Sequence, residues 1–304
     1  MKKANPQPQI IPNTPEMDLI KLREMNKYLG KLNIKEVPEI IFFGSDSWSI
    51  HVLKALEDNF NVKTVVCTPD SPVANYFKRP ILTPNKLDNK FLVSHLSFLT
   101  SDLFVVASYG KIIPKEILDI TKYGALNIHP SLLPKYRGAS PVPSTILNGD
   151  TETGVTIIKM DEKMDHGPIV SLRKISLSGQ EDFILLINKL FQSGARLLVK
   201  IIPGFIEGKV SLQEQNHKNA SYTKVLERAD GYFDINNPPE PEFLDRMIRA
   251  YSPWPGVWCK WKGKIVKFLP GGKLQMEGKK PISLNDFLNG YPDFPAPKTM
   301  EIRN

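Results

Sequence analysis

The stretch Leu103-Phe-Val-Val-Ala107 offers no polar face. A run this short and this uniformly apolar suits a strand whose sheet is covered on both sides, which is the habit of parallel α/β folds. It has companions in Glu39-Ile-Ile-Phe-Phe-Gly44 and Val62-Lys-Thr-Val-Val-Cys67, separated by a helical pattern through Ile50, Leu53 and Leu56. Strand, helix, strand predicts an α/β architecture with a mostly parallel sheet and helices on both faces. A Ser or Asp in the Ser45-Asp46-Ser47 segment is placed to cap the first helix.

The pattern continues. Pro114 opens a short helix, Ala125-Leu-Asn-Ile-His129 reads as the next strand, Thr153 to Met160 as another, and Gly167-Pro-Ile-Val170 begins one more. Apolar residues at Ile184, Leu185, Ile187, Leu190 and Phe191 mark a long helix over about residues 182 to 203. Then the composition turns polar, with Asn-Asn-Pro-Pro at 236–239, and residues 206–240 are expected to be a linker. A helix over 241–250 and short strands near 256–261, 265–268 and 274–276 predict a small β-rich unit at 241–304. The expected division is an N-terminal extension at 1–37, a main domain at 38–205, the linker and the small unit.

Composition excludes several classes. The 304 residues contain no apolar run of about 18, the length a membrane helix needs. The two cysteines, Cys67 and Cys259, form no C-x-x-C, so neither a disulfide framework nor a zinc site is expected. The first residues carry no apolar secretory core and no Arg- and Ser-rich transit pattern, so a cytoplasmic location is expected, with an organelle left open. A formal charge of +8 is compatible with a polyanionic partner.

Chemistry concentrates in one place. Side chains alternate along a strand, so Asn127 and His129 point to one side near the carboxyl end of theirs, where open α/β sheets bind ligands. Pro130, Pro134 and Gly138 then forbid helix and strand and shape a rigid loop. An Asn-x-His pair alone is commonplace. What sharpens it is Met160-Asp-Glu-Lys-Met-Asp-His-Gly-Pro168, which follows the next strand and brings Asp161 and Asp165 to what is expected to be the same sheet edge. An Asn, a His and an Asp together can stabilise an oxyanion and move a proton.

These two stretches, "LNIHPSLLPKYRGASPV" and "ILNGDTETGVTIIKMDEKMDHGPIV", resemble the folate-dependent formyltransferases. The resemblance covers about residues 38 to 285. It implies a Rossmann-like domain followed by a small open, OB-like β-barrel. It implies Asn127, His129 and Asp165 as the catalytic triad, and Ser131, Leu132, Leu133 and Pro134 as a folate-binding loop, with Tyr109 and Gly110 beside the pterin. The co-substrate implied is 10-formyltetrahydrofolate, without a metal. Arg249-Ala-Tyr-Ser-Pro-Trp-Pro-Gly-Val-Trp258 and the opening strand resemble the members that formylate the α-amine of methionyl-tRNA for translation initiation. The implied partner is therefore methionyl initiator tRNA, with no membrane and no obligate protein partner. Some sugar N-formyltransferases share the Pro-Trp-Pro-Gly segment, and an amino nucleotide sugar is the alternative acceptor. A formyl-folate hydrolase and a non-catalytic RNA-binding protein on the same fold are the remaining readings.

One departure stands out. The family's Gly/Arg-rich loop after the second strand is replaced by "TPDSPVANYFKRPILTP", where Lys78 and Arg79 are the available cations. Further basic candidates for phosphate contact are Lys260, Lys262, Lys264 and Lys267, expected to alternate along the surface of the small unit. Trp258 and Trp261 interleave with them and are expected in its core.

Overall fold

A computed structural model of the chain describes residues 37–87 and 90–297; the expected N-terminal extension, save Val37, lies outside the described residues. From Pro38 onward the described residues form one compact unit.

Seven strands build the main sheet: β1 (Glu39–Phe43), β2 (Asn61–Val66), β3 (Ile81–Leu82), β4 (Leu103–Val106), β5 (Ala125–His129), and, after the two-residue β6 (Arg137–Gly138) outside it, β7 (Glu152–Lys159) and β8 (Ile169–Ser176). Their order is β3-β2-β1-β4-β5-β7-β8. The chain leaves β1 toward β2 and β3, then returns to place β4 on the other side of β1, so the strand order reverses there. Pairings from β3 to β5 are parallel, whereas β5–β7 and β7–β8 are antiparallel. The apolar strands are covered on both faces. Ile40, Phe42 and Val105 pack with Val52, Leu53 and Leu56 of helix Ser49–Asn59 and with Leu186 and Leu190 of helix Phe183–Ile206. Ile41, Phe43 and Phe104 pack on the opposite side with Leu96 of helix Lys90–Phe98 and Ile117 of helix Lys115–Leu118.

Local rules account for the helix ends, with two differences from expectation. Helix Ser49–Asn59 has no side-chain cap; the Asp46 carboxylate instead accepts a hydrogen bond from Ser108 Oγ at 2.5 Å, from the end of β4. Helix Phe183–Ile206 is capped by Asp182, whose carboxylate accepts from Leu185 N at 2.8 Å, and it runs past Pro203 to Ile206. A proline in the last turn forfeits one hydrogen bond and leaves the packed face intact.

The segment expected as a linker is structured and docked. Gln213 bridges Ile169, and β9 (Tyr222–Thr223) pairs in parallel with β6. Polarity made it look like a linker, yet its polar side chains are spent on the loops described below. Helix Pro241–Ala250 follows, then an antiparallel meander of β10 (Val257–Trp261), β11 (Lys264–Leu269), β12 (Lys273–Met276) and β13 (Ile282–Ser283), and the short helix Leu284–Gly290. Phe268, Phe287 and Phe294 fill its inner side and join the core of the main sheet. Among the described residues this C-terminal unit is a four-stranded open sheet backed by a helix.

Helix Phe183–Ile206 lies close to β5 and β7 because Gly194 carries no side chain: a Cβ there would meet Ile128 Cγ2 at 2.8 Å and Val155 Cγ2 at 2.9 Å. Gly194→Val should therefore lower unfolding free energy by about 1–3 kcal/mol through overpacking, measured as a reduced urea midpoint at unchanged slope.

Candidate active site

Alternation along β5 divides its side chains. Leu126 and Ile128 enter the core under helix Phe183–Ile206, while Asn127 and His129 share the other face. Beyond His129 the chain folds back on itself. Ser131 is fully buried, and its hydroxyl donates to Lys135 O at 2.6 Å. Thr156 of β7 donates to Ser131 O (2.7 Å) and accepts from Leu133 N (3.2 Å). Leu133 packs on Ile158 and Ile169. The 131–134 loop is thus fastened to β7, with Ser131 Oγ engaged inside it.

Asp165 arrives by a route different from the expected one. Because β7 is antiparallel to β5, its carboxyl end lies beside the start of β5, with Met160 N bonded to Ala125 O. The following loop must double back over the sheet to reach Asn127 and His129. Two residues allow it. Gly167 passes so near Lys159 O that a Cβ would lie 1.9 Å from it, and Asp165 itself takes φ +51°. A non-glycine residue in this left-handed region costs of order 1–3 kcal/mol and persists where its surroundings hold it. The result is a carboxylate shared three ways. Oδ2 accepts from Gly138 N at 2.7 Å, and Oδ1 lies 3.4 Å from Asn127 Nδ2 and 3.5 Å from His129 Nδ1. Asp161, the other candidate carboxylate, turns away to His166 Nδ1 at 2.6 Å.

The ring of His129 is almost wholly buried, with 5% of its side chain exposed. Nε2 lies 2.8 Å from Tyr136 O. A carbonyl can only accept, so Nε2 carries a hydrogen. A second proton can therefore enter only at Nδ1, on the side of Asp165. Tyr136, at φ +62°, is held in place by its N–H to Ser221 Oγ (2.8 Å) and its hydroxyl to Asp150 (2.9 Å).

Sequence reasoning missed Arg137, Gln215 and His217. Arg137 is 1% exposed, and among the described residues its guanidinium makes four hydrogen bonds, all to neutral acceptors: two to Gln215 Oε1, one to Tyr222 Oη and one to His217 Nδ1. Gln215 in turn donates to Asp165 O and Gly167 O. The His217 ring stacks on His166 with centroids 4.0 Å apart and planes within 1°. A single signal was present, the charged Lys-Tyr-Arg between Pro134 and Gly138; the 78 residues from Arg137 to Gln215 hid the partner.

Tyr109 and Gly110 follow β4. Tyr109 packs edge-on against Phe43, its buried hydroxyl has no hydrogen-bond partner among the described residues, and burial pushes its pKa up to about 12. Beside it Ser108 ties Asp46 to Trp48 Nε1 (3.1 Å), and burial raises the Asp46 carboxyl above its usual range. Lys78 and Arg79 lie just before β3, with β2, β1 and β4 between that strand and β5. Arg79 pairs with Glu57 at 3.1 Å, and Lys78 donates to Asn75 O. The C-terminal lysines do not share one face as expected. Lys260 and Lys267 stand on the outer face with Lys273 and Trp258, which pairs with Lys267 across the strands. Lys262 occupies the β10–β11 turn at φ +46°, paired with Asp293, and Lys264 follows the opposite alternation. Trp258 therefore lies outside the core, against Tyr232 and Arg228, while Trp261 packs inward on Phe294.

Residues 41–202 match the family model described as formyl transferase, and residues 226–271 match the one for the formyl transferase C-terminal domain. The chain belongs to the formyl transferase family. A methionyl-tRNA formyltransferase of Roseiflexus sp. is 40% identical over 246 residues, covering 76% of this chain and 75% of the relative. Among solved structures, a sugar N-formyltransferase from a Shewanella species superposes with TM-score 0.64 at 16% identity, over 76% of this chain and 96% of that one. HypX from Aquifex aeolicus, solved with tetrahydrofolic acid, gives 0.62 at 15% identity over 84% and 48%. The two structural likenesses show the shared fold. Among the described residues, no three His, Cys, Asp or Glu side chains are grouped to hold a metal, and no helix is long and apolar enough to cross a membrane.

The stacked histidines give this formyltransferase a titratable feature. Desolvation first, then the charges of His166 and Arg137, hold His217 below its ordinary 6.5. A depressed value means the folded chain favours neutral His217, so its stabilisation is complete above 6.5 and is lost as pH falls through the lower folded-state value. NMR titration of the His217 ring should give a midpoint under 6.5 that rises in Arg137→Met; no rise would mean the contact is not formed in solution.

Proposed function

We propose that this formyltransferase moves the formyl group of 10-formyltetrahydrofolate to the α-amine of methionyl-tRNA. The observation that carries the reading is the assembly of Asn127, His129 and Asp165 around one carboxylate, in a chain 40% identical to a curated methionyl-tRNA formyltransferase over three quarters of both. Formyl transfer to an amine needs a donor for the oxygen that gains charge, an acceptor for the amine's proton, and return of that proton to the folate nitrogen as its bond to the formyl carbon breaks. Asn127 has two amide hydrogens, and Asp165 engages one, so the other serves the oxyanion. His129 has its Nε2–H committed to Tyr136 O, which makes it a poor oxyanion donor and leaves Nδ1 as the position for a proton. Asp165, at 3.5 Å, stabilises the ring once that proton is there. The separation is slightly long for a hydrogen bond and too short for a water to stand between the two atoms, so a small movement of either group brings them into direct proton contact.

The folate would lie against the 131–134 loop, between the segment after β4 and the 160–166 loop. Each of these two segments presents an exposed apolar side chain, Ile112 and Met164, suited to a flat heteroaromatic ring. The tRNA would meet the outer face of the C-terminal sheet, where Lys260, Lys267 and Lys273 flank Trp258 and Arg228. Cations there supply attraction that does not depend on sequence. Initiation of protein synthesis in a bacterial cytoplasm is the setting this activity implies.

The deciding assay offers labelled formyl-folate with methionyl-tRNA, with a 4-amino nucleotide sugar, and with water alone. Transfer to the sugar and not to tRNA overturns the reading. His129→Ala should cut turnover by roughly a hundredfold or more with formyl-folate affinity little changed; a variant retaining more than about a tenth of turnover removes His129 from the chemistry. Replacing Lys260, Lys267 and Lys273 by Glu should raise the Michaelis constant for methionyl-tRNA at nearly constant turnover. The slope of log affinity against log salt should flatten by roughly 0.7 to 0.9 for each phosphate that the variant leaves unneutralised. Parallel salt lines of equal affinity would mark these lysines as a solvated face.

A further inference from the structure

Asp165 is placed by a backbone that resists its own conformation, so something must hold it. The side chain of Gln215 does so with every hydrogen-bonding position it has. It is 5% exposed. Its Oε1 accepts from Arg137 Nη2 at 2.7 Å and Nε at 3.2 Å, and its Nε2 donates to Gly167 O at 2.7 Å and Asp165 O at 2.9 Å. The amide has one possible orientation. Guanidinium can only donate, so Oε1 must face it, and carbonyls can only accept, so Nε2 must face them. Arg137 is the bulkiest fully buried side chain of the described residues, and its charge has no carboxylate among its hydrogen-bond acceptors. A cation bonded to the amide oxygen polarises the amide and strengthens its N–H donors. Those donors grip the loop at Asp165 and two residues on, at the glycine that lets the loop turn back.

We propose that Gln215, oriented by Arg137, is a positioning residue for Asp165: the buried pair sets where that carboxylate stands relative to Asn127 and His129. The catalytic part of this inference rests on the formyl-transfer reading; the placement part does not. Neither residue contacts the Asp165 carboxylate, so their effect must travel through the loop backbone. Its local reporter is the Gly138 N–H, bonded to Asp165 Oδ2 at 2.7 Å. A neighbouring control is the Arg137 N–H, bonded to Ser221 O at 2.8 Å and independent of Asp165.

Gln215→Glu is the informative variant. It keeps an acceptor for Arg137, now as an ion pair in the same volume, and removes both donors to the loop. Gln215→Asn is the second, keeping the amide and shortening its reach by one methylene. Amide hydrogen exchange is measured in the full chain, with thermal melting alongside and steady-state transfer from formyl-folate to methionyl-tRNA. The expected result in both variants is Gly138 exchange faster by roughly tenfold or more, with Arg137 exchange unchanged. Turnover should fall roughly tenfold to a hundredfold at a nearly constant Michaelis constant for formyl-folate. Unchanged Gly138 exchange overturns the proposal. So does acceleration of Gly138 and Arg137 together, which marks a merely structural role, and so does faster Gly138 exchange with undiminished turnover. If wild-type protein transfers no formyl group to methionyl-tRNA, the functional reading falls, and the exchange measurement still decides whether Gln215 places Asp165.

Discussion

A guanidinium buried among neutral acceptors organises this site. Burying a charge is costly unless it is hydrogen-bonded, and Arg137 offsets much of that cost with groups from three places on the 213–223 segment: Gln215, His217 and Tyr222. Satisfying the charge therefore draws that segment onto the loop after β5. Once there, β9 zips to β6, and Ser221 accepts from Tyr136 N. Tyr136 O fixes the proton on His129, and Gly138 N fixes the carboxylate of Asp165. Three neighbouring residues, 136 to 138, thus serve the histidine, the scaffold and the aspartate in turn.

The histidines above this hub sort the local charge. His217 accepts from Arg137 and so stays neutral while that bond holds, whereas His166 pairs with Asp161. The stack sets a ring bonded to a carboxylate against one bonded to a guanidinium. Asp161 and Asp165, four residues apart, end up in different roles because the positive φ at Asp165 turns its side chain inward.

Much of this was readable from the chain. Central parallel strands are apolar on both faces, so β1, β2 and β4 stood out as uniform runs, and Asn127 and His129 followed from alternation on β5. Helix Pro241–Ala250 fell over the residues expected for it. Three things were hidden, each for a physical reason. The path of Asp165 depends on β7 running antiparallel to β5, which nothing local encodes. The docked segment at 206–240 looks like a linker because its side chains are polar, and polarity does not reveal whether the partner is water or a buried arginine. The lysine face was miscounted because alternation is continuous only within a strand. The turn at Lys262 resets it, so Lys264 falls out of phase with Lys260, and Trp258 comes to the outside.

The distances along the chain between these partners bear on how the protein is made. A ribosome-bound chain that has emerged through helix Phe183–Ile206 already holds all seven strands of the main sheet and all three of Asn127, His129 and Asp165. It does not yet hold Gln215, 50 residues after Asp165, or Tyr222, 85 residues after Arg137. At that stage the guanidinium has no acceptors from the 213–223 segment and the loop has no clamp. The sheet is a scaffold awaiting its last fitting, and synthesis order separates completion of the fold's core from completion of its active geometry.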